Sequence, residues 1–257
     1  MIDDYNQNGY RVLRGFYTEN ELAAVREVVT KFHHAWIEDN AQFYAERAIN
    51  SAYLTGKKYL GDSERAVLFQ IIASAKLMDV VTSILGPTAA FINTQLFFDP
   101  HNKNLNNYWH RDPQYHLSLE EQQAALTGPK ALHFRIPLRD EPGLEVVPGT
   151  HRRWDNDEEL AVRLEQQGRK NSDDLATGER VSLAAGDLMI FNANLIHRGI
   201  YGMNRLSLDV LFSDPVVELF EYVDENCLPG QEILETLEQP SALIHSIRMK
   251  TQSKTGA

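Results

Sequence analysis

The chain has 257 residues, 43% of them hydrophobic and 24% charged. That composition excludes a disordered or fibrous polypeptide and is enough for one large buried core. A formal net charge of −11 repels phosphate backbones and anionic lipid, so neither nucleic acid nor a membrane is an expected partner. The lone Cys227 cannot close an internal disulfide, and the start Met1-Ile2-Asp3-Asp4 lacks the basic and apolar run of a secretion signal. No apolar stretch reaches membrane-spanning length. The expectation is a cytoplasmic protein acting on a small molecule, with monomer and homodimer both open.

The first elements read as helices. Thr18 and Glu21 form a capping box, and Leu22, Val25, Val29, Phe32 and Trp36 follow at helical spacing. A second helix is predicted from Asp62 or Ser63, with Leu68, Ile71, Ile72, Ala75 and Met78 on one face, stopping at Gly86-Pro87. Between them, residues 41–61 carry Tyr44, Tyr53 and Tyr59 without a period and read as loop over a cavity. From Ala89 the pattern changes to short strands: 90–98, 107–112, 131–138, 143–147, 180–183, 187–192 and 205–212, with turns at Pro142-Gly143, Pro148-Gly149 and Gly186-Asp187. A short helix, capped by Ser118 and Glu121, interrupts them at 118–126. Residues 155–167 form a polar helical insertion, either a solvated surface helix or a lid. The chain thus reads as one domain, 1–257: helices over 1–88, a β core 89–214 with an insertion at 155–175, and a helical tail 215–257. Helices followed by many short strands predict a mostly β fold with flanking helices around a jelly-roll, cupin-like core.

The sharpest local feature is Trp109-His110-Arg111-Asp112-Pro113. Residues two apart on a strand share a face, so His110 and Asp112 would present an imidazole and a carboxylate together. A third ligand from a distant strand completes a two-histidine, one-carboxylate set, which suits iron(II) and leaves open positions on the metal. His197, in Asn194-Leu195-Ile196-His197-Arg198-Gly199, fits that place. In Arg205-Leu206-Ser207-Leu208-Asp209-Val210 the apolar and polar residues alternate, so Arg205 and Ser207 share a polar face. A guanidinium beside a hydroxyl is suited to gripping a carboxylate. Each feature alone has an ordinary structural explanation; their occurrence in order on strand-like segments does not.

Taken together, these residues resemble the phytanoyl-CoA dioxygenase family of iron(II)/2-oxoglutarate oxygenases. The resemblance rests on Trp109-His110-Arg111-Asp112, on Gly143-Leu144-Glu145-Val146-Val147-Pro148-Gly149-Thr150-His151, on Gly186 to Phe191 followed by His197, and on Arg205-Leu206-Ser207-Leu208. The opening from Tyr5 to Glu21 also looks like the family's start, so the likeness runs to about Phe212. It implies a double-stranded β-helix, with His110, Asp112 and His197 as catalytic iron(II) ligands, and 2-oxoglutarate held by Arg205 and Ser207. It also brings in Gln95, with Asn93 near it, as an amide that orients the cosubstrate. The implied reaction uses dioxygen, hydroxylates an unactivated carbon and releases succinate and carbon dioxide. Because Asp112 keeps its carboxylate, hydroxylation is expected rather than halogenation. Two departures stand out. Arg111 occupies a position where many relatives carry glutamine, and the His197–Arg205 spacing is shorter than in many members, which makes Arg198 and Arg135 the alternative anchors.

Tyr115 and His116, just past the ligand pair, and His133 and Arg135, which alternate with Leu132, Phe134 and Ile136, are the candidate substrate contacts. His151 reads as structural, and Trp36 and Trp154 as packing. Two other classes of function fit some of the pattern. A noncatalytic, ligand-binding or regulatory barrel would keep the fold without turnover. A metal hydrolase would use the same three ligands but leaves Arg205 and Ser207 without a role.

Overall fold

The computed structural model describes residues 2–220 and 223–255, so Met1 and the ends of the expected 215–257 tail at 256–257, with 221–222, lie outside it. The chain opens with α1 (Ile2–Asn8), β1 (Tyr10–Leu13), α2 (Glu19–Asp39), α3 (Ala41–Glu46), β2 (Asn50–Ala52), α4 (Asp62–Ile72) and α5 (Ala75–Leu85). It continues through β3 (Ala90–Phe98), α6 (Leu119–Ala125), β4 (Ala131–Pro137), β5 (Glu141–Val147), α7 (Asp157–Arg163), β6 (Glu179–Leu183), β7 (Leu188–Asn192), β8 (Ile196–Gly199) and β9 (Leu206–Ser213). It ends with α8 (Val217–Phe220), α9 (Gln231–Leu234) and α10 (Ser241–Thr255).

The strands make two antiparallel sheets. The larger has the order β1-β7-β4-β9-β3-β2, and the smaller β6-β5-β8. Facing sheets of this kind, wrapped by helices on one side, form the double-stranded β-helix. The larger sheet is buried on both faces. Leu132, Phe134, Ile136, Leu208, Val210 and Phe212 pack outward with Val29, Phe32, Leu68, Leu77 and Val81 of the helices. Met189 and Phe191 point the other way, onto Leu144, Val146, Val181 and Leu183 of the smaller sheet. Residues paired across antiparallel strands stand on the same face. The register therefore sets Met189, Arg135, Asp209 and Gln95 in one inward row, and Phe191, His133, Leu211 and Asn93 in the next.

Several expectations need correction. The predicted single helix after Asp62 is two, bent by 53°. Ser74, in extended conformation, breaks it, and Ala73's freed carbonyl accepts from Gln239 N–H instead. Residues 41–61 contain α3 and the edge strand β2 rather than loop alone. No regular strand forms at 107–112: His110 makes an isolated bridge to His197, and Asp112 opens a 3-10 turn. The 155–167 insertion is not a solvated helix, because Asp155, Glu159, Val162 and Arg163 are buried. Among the described residues no single helix is long and apolar enough to cross a membrane.

Candidate metal centre

Three backbone hydrogen bonds bring the ligands together. His110 and His197 exchange N–H···O bonds of 3.0 Å each, and Asp112 N–H donates to Ala193 O at 3.0 Å. His110 and Asp112 thus meet although they share no regular strand. The Nε2 of His110 lies 3.5 Å from Asp112 Oδ1, and that of His197 3.9 Å from the same oxygen. One ligand atom from each residue falls within 4.8 Å of the others.

The orientation of each imidazole is set by its other nitrogen. His197 Nδ1 sits 2.9 Å from Leu195 O, and His110 Nδ1 3.1 Å from Tyr108 O. An Nδ1–H donated to a carbonyl leaves the Nε2 lone pair facing Asp112, the tautomer a metal needs. Burial, reinforced by His110, lowers His197 to about 3, so it stays neutral. For Asp112, burial alone would raise the carboxyl, but the cationic His133 beside it more than reverses this and holds it well below the usual range. Two imidazoles and a carboxylate make the donor set of a divalent transition metal.

His133 does not face an open cavity. Its Nε2 lies 3.0 Å from Asp112 Oδ2 and its Nδ1 3.1 Å from Asp209 Oδ2. Its ring stacks on Phe191 at 4.6 Å. Arg135 is likewise occupied, with Nε 2.9 Å from Glu141 Oε1 and NH1 3.4 Å from Asp209 Oδ1. In this structure both residues act as internal counter-charges. Tyr115 is half exposed, donates to Tyr108 at 3.0 Å and holds its ring 5.6 Å from that of His110. His116 is exposed at the end of the 3-10 turn. Gln95 is half-buried in the inward row beside Asp209.

Arg205 is only 3% exposed and lies between the sheets. Its NH2 donates to Phe98 O at 3.1 Å and its NH1 to Ile200 O at 3.4 Å, while its buried Nε has no partner. Burial, with Arg135 nearby, lowers it to about 10, so it remains a cation. Ser207 differs from the expectation of a shared grip, since its hydroxyl donates to Glu141 Oε2. Arg198 is tied to Glu145 and Asp174 on the far side of β8, which removes it as an anchor.

Sequence reasoning missed Glu141, Asp155 and Tyr108. Glu141 was hidden because the pairing of β5 shifts register between Glu141 and Leu144. Beyond that shift the alternation that marked the inward face no longer runs. Asp155 sat in a segment whose polarity resembled that of a solvated helix.

The fold and the site define an oxygenase-type barrel with a two-histidine, one-carboxylate centre. A family model described as phytanoyl-CoA dioxygenase matches residues 5–200, and the chain belongs to that family. Ectoine dioxygenase from Sphingopyxis alaskensis is 21% identical over 214 residues, covering 75% of this chain and 67% of its own. The crystal structure of that organism's EctD with bound iron superposes with a TM-score of 0.55 at 18% identity, covering 83% and 75% of the two chains. The structure of EctD with 2-oxoglutarate and 5-hydroxyectoine does so at 0.55 and 16%, covering 82% and 74%. These likenesses show a shared fold.

Proposed function

We propose that the chain is an iron(II)- and 2-oxoglutarate-dependent dioxygenase that hydroxylates an unactivated carbon of a small molecule, releasing succinate and carbon dioxide. The observation that carries this reading is the convergence of His110 Nε2, His197 Nε2 and an Asp112 oxygen, with both Nδ1 atoms committed to carbonyls. Family membership supports it, as does the iron and 2-oxoglutarate found in the similar EctD. His110, Asp112 and His197 would hold the iron. When bound, iron supplies the activation of dioxygen that the side chains themselves cannot. Arg205 would bind the distal carboxylate of 2-oxoglutarate through its unpartnered Nε, in a site dry enough to strengthen that ion pair. The sheets around it exclude water from the reaction. The retained Asp112 carboxylate favours hydroxylation over halogenation.

The test is succinate formation from 2-oxoglutarate by the iron-loaded protein in air, across a panel of small amino acids, carboxylic acids and cyclic amidines. A substrate-dependent burst of succinate, absent without oxygen and in His197→Ala, is the expected result. Loss of panel compounds without succinate, or turnover that persists anaerobically, would remove this reading in favour of a hydrolase.

A further inference from the structure

We infer that Arg111 is a positioning residue for the metal centre, acting through the backbone that carries the ligands; the inference rests on the metal reading above. Arg111 stands between His110 and Asp112. Because neighbours alternate in direction along an extended chain, its side chain points away from the metal. It is fully buried. There its guanidinium donates to Thr150 O at 2.7 Å, to Asn194 O and to Arg153 O at 3.1 Å, and pairs with Asp155 Oδ1 at 2.6 and 2.9 Å. Asp155 also takes Arg163 at 2.6 Å through its other oxygen. Trp154 lies under both guanidiniums, at 5.7 and 5.5 Å.

These contacts join three pieces of chain. One holds His110 and Asp112. The second, ending the Pro148-Gly149 turn, contributes Thr150, whose hydroxyl accepts from Ile196 N–H at 2.9 Å. The third runs from Ala193 to His197, where Asn194 O takes the guanidinium and Ala193 O accepts from Asp112 N–H. Arg111 therefore fixes, from behind, the spacing between the two segments whose side chains must meet around one ion. Its planar fork suits this task, since it reaches three carbonyls and a carboxylate in set directions. Glutamine could satisfy only some of the set and would leave buried carbonyls unpaired.

Arg65 provides an internal control. It is 1% exposed and holds Thr55 O at 2.7 Å, Asn226 O at 3.2 Å, Leu228 O at 3.0 Å and Asp62 at 2.7 Å, with no role in the ligand segments. Arg111→Gln and Arg65→Gln break comparable sets of contacts at different places. The experiment titrates apo-protein with cobalt(II) under argon. It reads affinity and the visible d–d spectrum well below each variant's melting temperature, with folding checked by circular dichroism. Both variants should melt lower than the parent. Arg65→Gln should bind cobalt like the parent, whereas Arg111→Gln should bind about 10- to 100-fold more weakly with an altered spectrum. If Arg111→Gln does not fold, Arg111→Lys, which keeps the charge beside Asp155 but lacks the fork, should show the same loss. Parent-like affinity and spectrum in the folded Arg111 variant would overturn the inference alone. A parent that binds no cobalt would overturn the metal reading and the inference with it.

Discussion

Arg205 and Ser207 look equivalent in the sequence, two residues apart on one face, yet the structure gives them different tasks. Arg205 carries a buried, unpartnered Nε, whereas Ser207 spends its proton on Glu141. Hydrogen bonds to charged groups contribute about 1.5–3 kcal/mol each. Arg205→Ala should therefore weaken 2-oxoglutarate binding at least about ten-fold on that magnitude and leave iron(II) binding without cosubstrate intact, as read by calorimetry. Ser207→Ala should instead lower the melting temperature, since it strips a donor from the buried Glu141, and move cosubstrate affinity less. Equal losses of affinity from the two variants would restore the shared grip expected from alternation. His133 and Arg135 show why alternation identifies a face but not its occupant. Both point inward as their spacing suggested, but Asp112, Asp209 and Glu141 already neutralise them. The partners come from residues distant in sequence, and no local pattern announces them.

At the scale of elements, the strands were legible where one face packs on helices and the other on the opposite sheet, as in β4, β7 and β9. Irregular pieces were not. His110 and Asp112 flank an extended Arg111 and so share a side as their spacing predicts, but no regular strand forms there; the cross-bridge to His197 and the bond to Ala193 hold them in place. The shift in β5 turns on Gly143, at φ +85°, where an added Cβ would lie 1.8 Å from Val181 O. Gly143→Ala must move the backbone, and a cost of about 1–3 kcal/mol is expected from the conformation alone; a melting temperature equal to the parent's would contradict this account of the bulge. On α2, His33 packs at 4.5 Å from Phe98 with its Nδ1 buried and unpartnered. Burial, with His34 and Arg139 nearby, lowers it from 6.5 to about 4. The unfolded chain then binds the extra proton more readily than the folded one, so this contribution is present above pH 6.5 and is lost as pH falls toward 4. His33→Leu should flatten the decline of melting temperature across that window, and an unchanged slope would place the acid sensitivity elsewhere.

For the molecule as a whole, composition and order of elements indicate a helix-flanked β barrel, because the buried apolar residues pack mainly between the larger sheet and the helices, with a smaller set between the two sheets. The acidic surface and the buried cations are compatible, because Arg111, Arg135 and Arg205 sit inside the protein among their own counter-charges and carbonyls. On the proposed function, this interior would hold a metal and a carboxylate anchor at once. That reading is tested most directly by titrating the apo-protein anaerobically with iron(II) and then 2-oxoglutarate while recording the visible spectrum. A weak charge-transfer band should appear only with both present, be absent in His197→Ala and need more 2-oxoglutarate in Arg205→Ala. A parent protein that binds both components yet shows no band, or a band indifferent to His197, would contradict that reading.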